Sequence, residues 1–149
     1  MAKVSLSRHS GLCRTTLALA LSVIVADLAQ AASNTINVAG VAGSAGEVAI
    51  SANGKCSLIE AIRTANGDIP GNTDCGSPSP GADFIVLPVA SLFSLTSVNN
   101  TSDGSNALPS ITTDISIIGR GSIIRRIPSA PNMRILHIAS GGKLLLVST

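Results

Sequence analysis

The 149-residue chain has almost no aromatic side chains: it contains no tryptophan, no tyrosine and two phenylalanines. It is also poor in charge, with ten basic and eight acidic residues. Nucleic-acid binding depends on cations that neutralise phosphates and on rings that stack with bases, and both are scarce here. The composition therefore argues against a nucleic-acid partner, and the lack of rings argues against a groove that stacks sugars.

The first 31 residues have the layout of a secretory signal peptide. Three basic residues precede an apolar run from Thr16 to Ala26, and the small residues Ala29 and Ala31 follow it. The run has about 11 residues, whereas a membrane-spanning helix needs about 20. We therefore predict cleavage after Ala31 rather than a membrane anchor. Removing residues 1–31 takes away three basic residues and one acidic residue, so the mature chain has a formal net charge of zero. The signal peptide predicts that this mature chain is exported and has no membrane-spanning segment.

Two cysteines, Cys56 and Cys75, remain after this cleavage. Exported chains enter an oxidising compartment, where an even pair of cysteines typically forms a disulfide. Two free thiols are the alternative. A CxxC redox motif and a zinc site are excluded by the spacing and by the shortage of ligands.

One segment, KCSLIEAIRTANGD from Lys55 to Asp68, has a helical pattern in a chain that otherwise reads as strands and turns. Ser57 and Glu60 have the spacing of a capping box, in which each side chain accepts from the other residue's backbone N–H. Leu58, Ile62 and Ala65 form one apolar stripe. Asn66-Gly67 is a typical helix end. So short a helix needs packing to be stable.

The rest of the chain has β-type runs. They are residues 35–40, 47–51, 84–88, 92–97, 114–119, 122–127, 134–139 and 143–148. No helical pattern separates the last four, which argues against a doubly wound sheet. The interval from 114 to 134 is about 20 residues, the size of one turn of a β-solenoid. On pattern alone, a β-solenoid capped by the early helix and a β-sandwich both remain open.

The stretch CSLIEAIRTAN, Cys56 to Asn66, resembles the motif of the CSLREA domain, with Ile59 where that family usually has arginine. This resemblance implies an exported bacterial protein and an all-β fold: the start of a right-handed parallel β-helix (solenoid) of the pectate-lyase-like kind, with a short capping α-helix. Residues 81–88, 108–126 and 133–149 resemble the coils that follow. The implied organisation is a signal peptide (1–31), an N-terminal cap with helix and disulfide loop (32–82) and first coils (83–149). The resemblance implies that the chain is the N-terminal part of a longer protein or a truncated gene product.

The carboxylates of the mature chain have structural interpretations. Glu60 belongs to the capping box, and Asp83 and Asp114 each precede a strand, where turn chemistry accounts for them. Asp74 shares a loop with Asp68 and Asn72 that offers oxygen ligands to calcium, but the order of an EF-hand is absent. His137 has no Asp, Ser or Cys beside it in the sequence. We therefore predict no catalytic residues, no metal ligands and no cofactor.

Three functions remain open from the sequence. The first is a noncatalytic N-terminal module of an exported or cell-surface protein, with an adhesin-like structural or interaction role and cell-surface or polysaccharide ligands. The second is the front of a polysaccharide lyase or hydrolase whose active site lies beyond Thr149. The third is a small secreted binding domain. We favour the first, and we expect an apolar edge from Arg134 to Ser148 to make the isolated chain self-associate.

Overall fold

A computed structural model describes residues 33–67, 74–78 and 81–148. All of them belong to the compact unit Ala32–Thr149. The predicted signal peptide lies outside the described residues. The described elements are β1 (Asn34–Asn37), α1 (Leu58–Ala65), β2 (Asp83–Val86), β3 (Leu92–Leu95), β4 (Asp114–Ile118), β5 (Ile123–Arg126) and β6 (Lys143–Val147).

The strands form two sheets in which every pair is parallel. The larger sheet has the order β1-β2-β4-β6, and the smaller sheet pairs β3 with β5. A single bridge between Ala45 and Leu92 covers the other edge of β3. Parallel neighbours cannot be joined by tight hairpins, so each pair brings together segments that are distant in the sequence.

The core lies between the sheets and the helix. The larger sheet contributes Ile36, Ile85, Ile115 and Ile117, the smaller sheet contributes Phe93 and Leu95, and the helix contributes Leu58, Ala61 and Ile62. The predicted apolar stripe of α1 is therefore the buried face, and α1 packs against β1 and β2. Because a helix this short is not stable alone, its packing on the larger sheet stabilises it.

The expectation of an all-β solenoid is wrong. The structure is a small α/β-like domain with parallel sheets and one short helix in its described part. The side chains of α1 are part of the hydrophobic core, whereas a solenoid cap would cover the end of a core formed by the strands alone. The paired strands also lack the expected repeat of about 20 residues. Asn34 pairs with Asp83 about 50 residues later, and Asp114 pairs with Lys143 about 30 residues later.

Two of the predicted strands are absent, and the hydrogen bonds explain why. In the segment 47–51, the carbonyls of Glu47 and Val48 accept from the N–H groups of Leu58 and Ile59, which are in the first turn of α1. In the segment 134–139, both Arg134 and His137 contact the 98–106 loop. Residues three apart point to opposite sides of a straight strand, so this segment must bend and makes only isolated bridges.

Candidate functional site

The predicted disulfide is confirmed: Cys56 and Cys75 are bonded, with their Cα atoms 4.6 Å apart. Cys56 directly precedes Ser57, the N-cap of α1. The bond therefore ties the start of the helix to the segment 74–78.

The capping box of α1 is complete in the structure. The backbone N–H of Glu60 donates to Ser57 Oγ, and the backbone N–H of Ser57 donates to Glu60 Oε2 over 2.8 Å. The Ser51 N–H also donates to Glu60 Oε1. This buried carboxylate is thus engaged by backbone donors on both oxygens, which gives it a structural role.

Asp74 lies beside the disulfide and binds a concave run of backbone amides. Its Oδ2 accepts from the N–H groups of Asn53 (3.0 Å), Gly54 (2.7 Å) and Lys55 (3.2 Å). Gly54 has a φ of 74°, which lets the three successive N–H groups converge on one oxygen. This Asp74 oxygen therefore accepts from the backbone. Asp68 and Asn72, the other two residues whose oxygens could bind calcium in this loop, lie outside the described residues.

A polar cluster that the sequence did not reveal joins the 98–106 loop to residues 134–137. Fully buried Asn106 is its centre: its Nδ2 donates to Asn100 Oδ1 and to the carbonyls of Ser102 and Gly104. Asn106 Oδ1 accepts from Arg134 Nε over 3.0 Å. Because both ends of the amide are bonded, the loop is fixed by a buried polar network.

His137 extends this cluster through two partners that are not its neighbours in the sequence. Its Nε2 lies 3.3 Å from Asp103 Oδ2, and its Nδ1 lies 2.8 Å from Ser110 Oγ. His137 is about 30 residues from the other two in the sequence, so no motif spacing could have shown the three together.

These three side chains differ from a hydrolytic triad in two respects. A triad places the serine on Nε2 and a buried aspartate on Nδ1. Here Ser110 is on Nδ1, and the Asp103 side chain is on Nε2 with 83% of its surface exposed. An exposed carboxylate attracts the ring only weakly. The arrangement therefore lacks the geometry of a triad, and it adds only a weak contact to the Asn106 network that holds the 98–106 loop.

Asp83 at the start of β2 is a buried carboxylate without hydrogen bonds. It is 1% exposed, and neither of its oxygens has a hydrogen-bond partner. Its exposed neighbours Gly81 and Ala82 indicate that it lies just below the surface. Burial raises the pKa of the Asp83 carboxyl above its ordinary value of 3.8; the nearby Asn34 N–H partly offsets this without making a hydrogen bond. The turn interpretation of this residue is therefore wrong.

The outer strand β6 carries two large apolar side chains that are exposed to solvent. Leu145 and Leu146 are 58% and 59% exposed, and no described strand pairs with β6 on the side away from β4. Successive strand residues point to opposite faces, so Leu145 and Leu146 leave both faces of this outer strand uncovered. We call the outer side of Lys143–Val147 the β6 edge.

A cavity of about 400 Å³ opens beside the β6 edge, between the two sheets. Its apolar lining includes Leu87, Ile117, Ile124, Ile135, Leu136 and Leu146. Leu146 is aligned with buried Ile117 on β4, yet it remains largely exposed. The interior of the domain is thus incompletely closed at this end.

Among the described residues, no group of three His, Cys, Asp or Glu side chains is placed to hold a metal ion. No helix in the same residues is long and apolar enough to cross a membrane. Comparisons with protein-family models, with curated proteins and with solved structures found no match to this chain.

Proposed function

We propose that this chain is a noncatalytic interaction module of an exported protein, with an adhesin-like role at the cell surface. The observation that carries the proposal is the β6 edge, where the largely exposed Leu146 lines an open apolar cavity. The edge of a sheet accepts an extended segment through backbone hydrogen bonds, and apolar side chains add affinity.

Two features support export. The Cys56–Cys75 disulfide is of a kind that persists in oxidising compartments. The first 31 residues have the signal-peptide layout. The similarity of Cys56–Asn66 to the CSLREA motif points the same way, to a bacterial cell-surface protein with cell-surface or polysaccharide ligands.

The roles of the carboxylates support a noncatalytic module. Glu60 and Asp74 accept from backbone amides, Asp103 contacts His137, and Asp114 lies 3.7 Å from Lys143. Acid–base or metal-assisted cleavage of a polysaccharide would need carboxylates converging on one groove. In the described part of the chain, no observation favours the alternative of a polysaccharide lyase or hydrolase.

A peptide with the sequence of residues 142–148, flanked by added lysines for solubility, tests the interaction role. We expect the dilute exported chain to bind it, with NMR shift changes centred on the amides of Leu144 and Leu146. The matched control is the same peptide with N-methyl groups at these two positions, which removes the donors and should abolish binding. Unchanged β6 amides in the presence of the unmodified peptide would overturn the proposal.

Expression of the 149-residue precursor in an exporting bacterial host tests the export half of the proposal. The intact mass of the secreted product should correspond to cleavage after Ala31, with no label after thiol alkylation without reductant. A product retained inside the cell with an uncleaved N-terminus would contradict it.

A further inference from the structure

On its outer side, the backbone of β6 has a row of hydrogen-bonding groups that no described strand pairs with. On the inner side, the Lys143 N–H donates to the Thr113 carbonyl, and the Gly119 N–H donates to the Val147 carbonyl. Alternate residues of a strand direct their backbone groups to opposite sides. The N–H and C=O groups of Leu144 and Leu146 therefore point away from β4, toward the β6 edge.

These free groups match those of an identical strand that runs in the opposite direction. When Leu145 lies opposite the partner's Leu145 on a two-fold axis, Leu144 lies opposite the partner's Leu146. Those two residues then form a hydrogen-bonded pair, which exchanges both N–H···O bonds, and the two Leu145 residues form a non-hydrogen-bonded pair. This register keeps all five residues of β6 paired.

The charges also fit this register. Lys143 faces the partner's Val147, so no like charges lie directly opposite each other across the axis. Lys143 also keeps its own Asp114 at 3.7 Å. A register centred on Lys143 would instead place two lysines face to face.

The other outer strand of the larger sheet, β1, is a poorer partner for β6. The Ala39 N–H, just after β1, donates to the Cys56 carbonyl, and the Asn34 side chain donates to the Ser77 carbonyl. The helix start and the disulfide segment therefore already lie along β1. Pairing of β6 with β1 would also be open-ended and would build fibres, whereas pairing of β6 with itself closes after two copies.

The cavity gives a second reason for a like partner. Leu144 and Leu146 share the face of β6 that lies over Ile115 and Ile117. An antiparallel copy in the same sheet places its own Leu144 and Leu146 on that face, at the mouth of the cavity. The apolar cavities of the two copies then lie next to each other across the paired strands, and the apolar surface around Leu144 and Leu146 is removed from water.

We propose that the partner of the β6 edge is a second copy of this chain, and that the two β6 strands pair antiparallel about a two-fold axis at Leu145. This inference rests on the proposed interaction role of the β6 edge and names its partner. It predicts a closed dimer, not an aggregate of undefined size.

The test measures the mass of the purified exported chain by light scattering over a concentration series. We expect a monomer–dimer equilibrium that L145K and L145E each shift to monomer, because like charges then face each other on the axis. An equimolar mixture of these two variants should regain dimers. The control is V41K, at a valine that is 73% exposed and lies away from β6, and it should remain dimeric.

A cross-link provides a second measurement that does not disturb the charge. Opposed residues of a non-hydrogen-bonded antiparallel pair have Cα atoms about 4.5 Å apart, within the range of a disulfide. L145C should therefore form a disulfide-linked dimer on a non-reducing gel, and the control V41C should not.

The outcomes distinguish failure of the dimer inference from failure of the proposed interaction role. A wild-type chain that stays monomeric at high concentration but binds the 142–148 peptide overturns the inference and retains the proposed function. A monomer that also fails to bind the peptide overturns both. A dimer that is unchanged by L145K, or L145C chains that do not cross-link, places the contact elsewhere and overturns the inference.

Discussion

Removal of the Cys56–Cys75 disulfide should lower the free energy of unfolding by about 3 kcal/mol. The two cysteines are separated by 19 positions. On the chain-entropy model, a cross-link across about 20 residues restricts the unfolded chain by about 3 kcal/mol at room temperature. The hydrogen bonds of Asp74 to residues 53–55 do not replace this effect, because they hold the folded state and leave the unfolded chain free.

The assay is urea unfolding followed by far-ultraviolet circular dichroism, with dilute protein so that association does not contribute. The oxidised chain is compared with the double variant C56A/C75A and with reduced, alkylated wild type. Cys56 is buried, so the alanine variant also loses packing, and the alkylated chain shows how much of the loss depends on side-chain volume. A loss below about 1 kcal/mol in both would refute the reasoning from loop entropy.

Three further predictions concern the polar groups. D83N should be more stable than wild type at neutral pH, because it removes a buried carboxylate that has no hydrogen bond. N106A should lose about 2 to 3 kcal/mol in urea unfolding, since it leaves Arg134 and buried carbonyls without their partner. D103N should change the unfolding free energy by less than about 1 kcal/mol, because the Asp103 side chain that contacts His137 is largely exposed.

The D83N prediction carries a definite dependence on pH. The folded-state pKa of Asp83 is raised, so the folded chain binds more protons than the unfolded chain just above pH 3.8. The contribution of this group to stability therefore falls as the pH rises through the raised pKa. D83N cannot ionise, so the thermal midpoints of the two proteins should diverge as the pH rises. Parallel midpoints across that range would contradict a buried, unbonded carboxylate.

The N106A and D103N predictions are checked against each other. Both residues lie in the same loop, and they differ in burial and in the number of hydrogen bonds. If D103N lowers the free energy of unfolding as much as N106A does, the contact between Asp103 and His137 contributes more than its exposure implies. If N106A lowers the free energy of unfolding by less than about 1 kcal/mol, the buried network of Asn106 does not hold the loop.

Local features of the fold could be predicted from the sequence. The capping box, the buried stripe of Leu58, Ile62 and Ala65, and the end of the helix at Asn66 depend on residues within one or two turns of each other. The disulfide was predicted from the even number of cysteines that remain after the predicted signal peptide. β-Branched runs also indicated β1 to β6, because such residues favour extended strands.

The long-range features could not be predicted, for reasons the structure shows. Parallel pairing joins Asn34 to Asp83 and Asp114 to Lys143, and no turn sequence encodes those registers. Residues 134–139 have a strand-like composition, but the bonds of Arg134 and His137 to one loop bend them. The cluster of Asp103, Ser110 and His137 and the unbonded state of Asp83 depend on this folded arrangement.

Amide hydrogen exchange along β6 tests the central claim that its outer edge is free and takes up a partner. In dilute protein, Leu144 and Leu146 should exchange much faster than Leu145 and Val147, whose N–H groups face β4. At concentrations that favour the dimer, Leu144 and Leu146 should become protected while Leu145 and Val147 change little. Slow exchange of Leu144 and Leu146 at every dilution, or fast exchange at every concentration, would contradict the account.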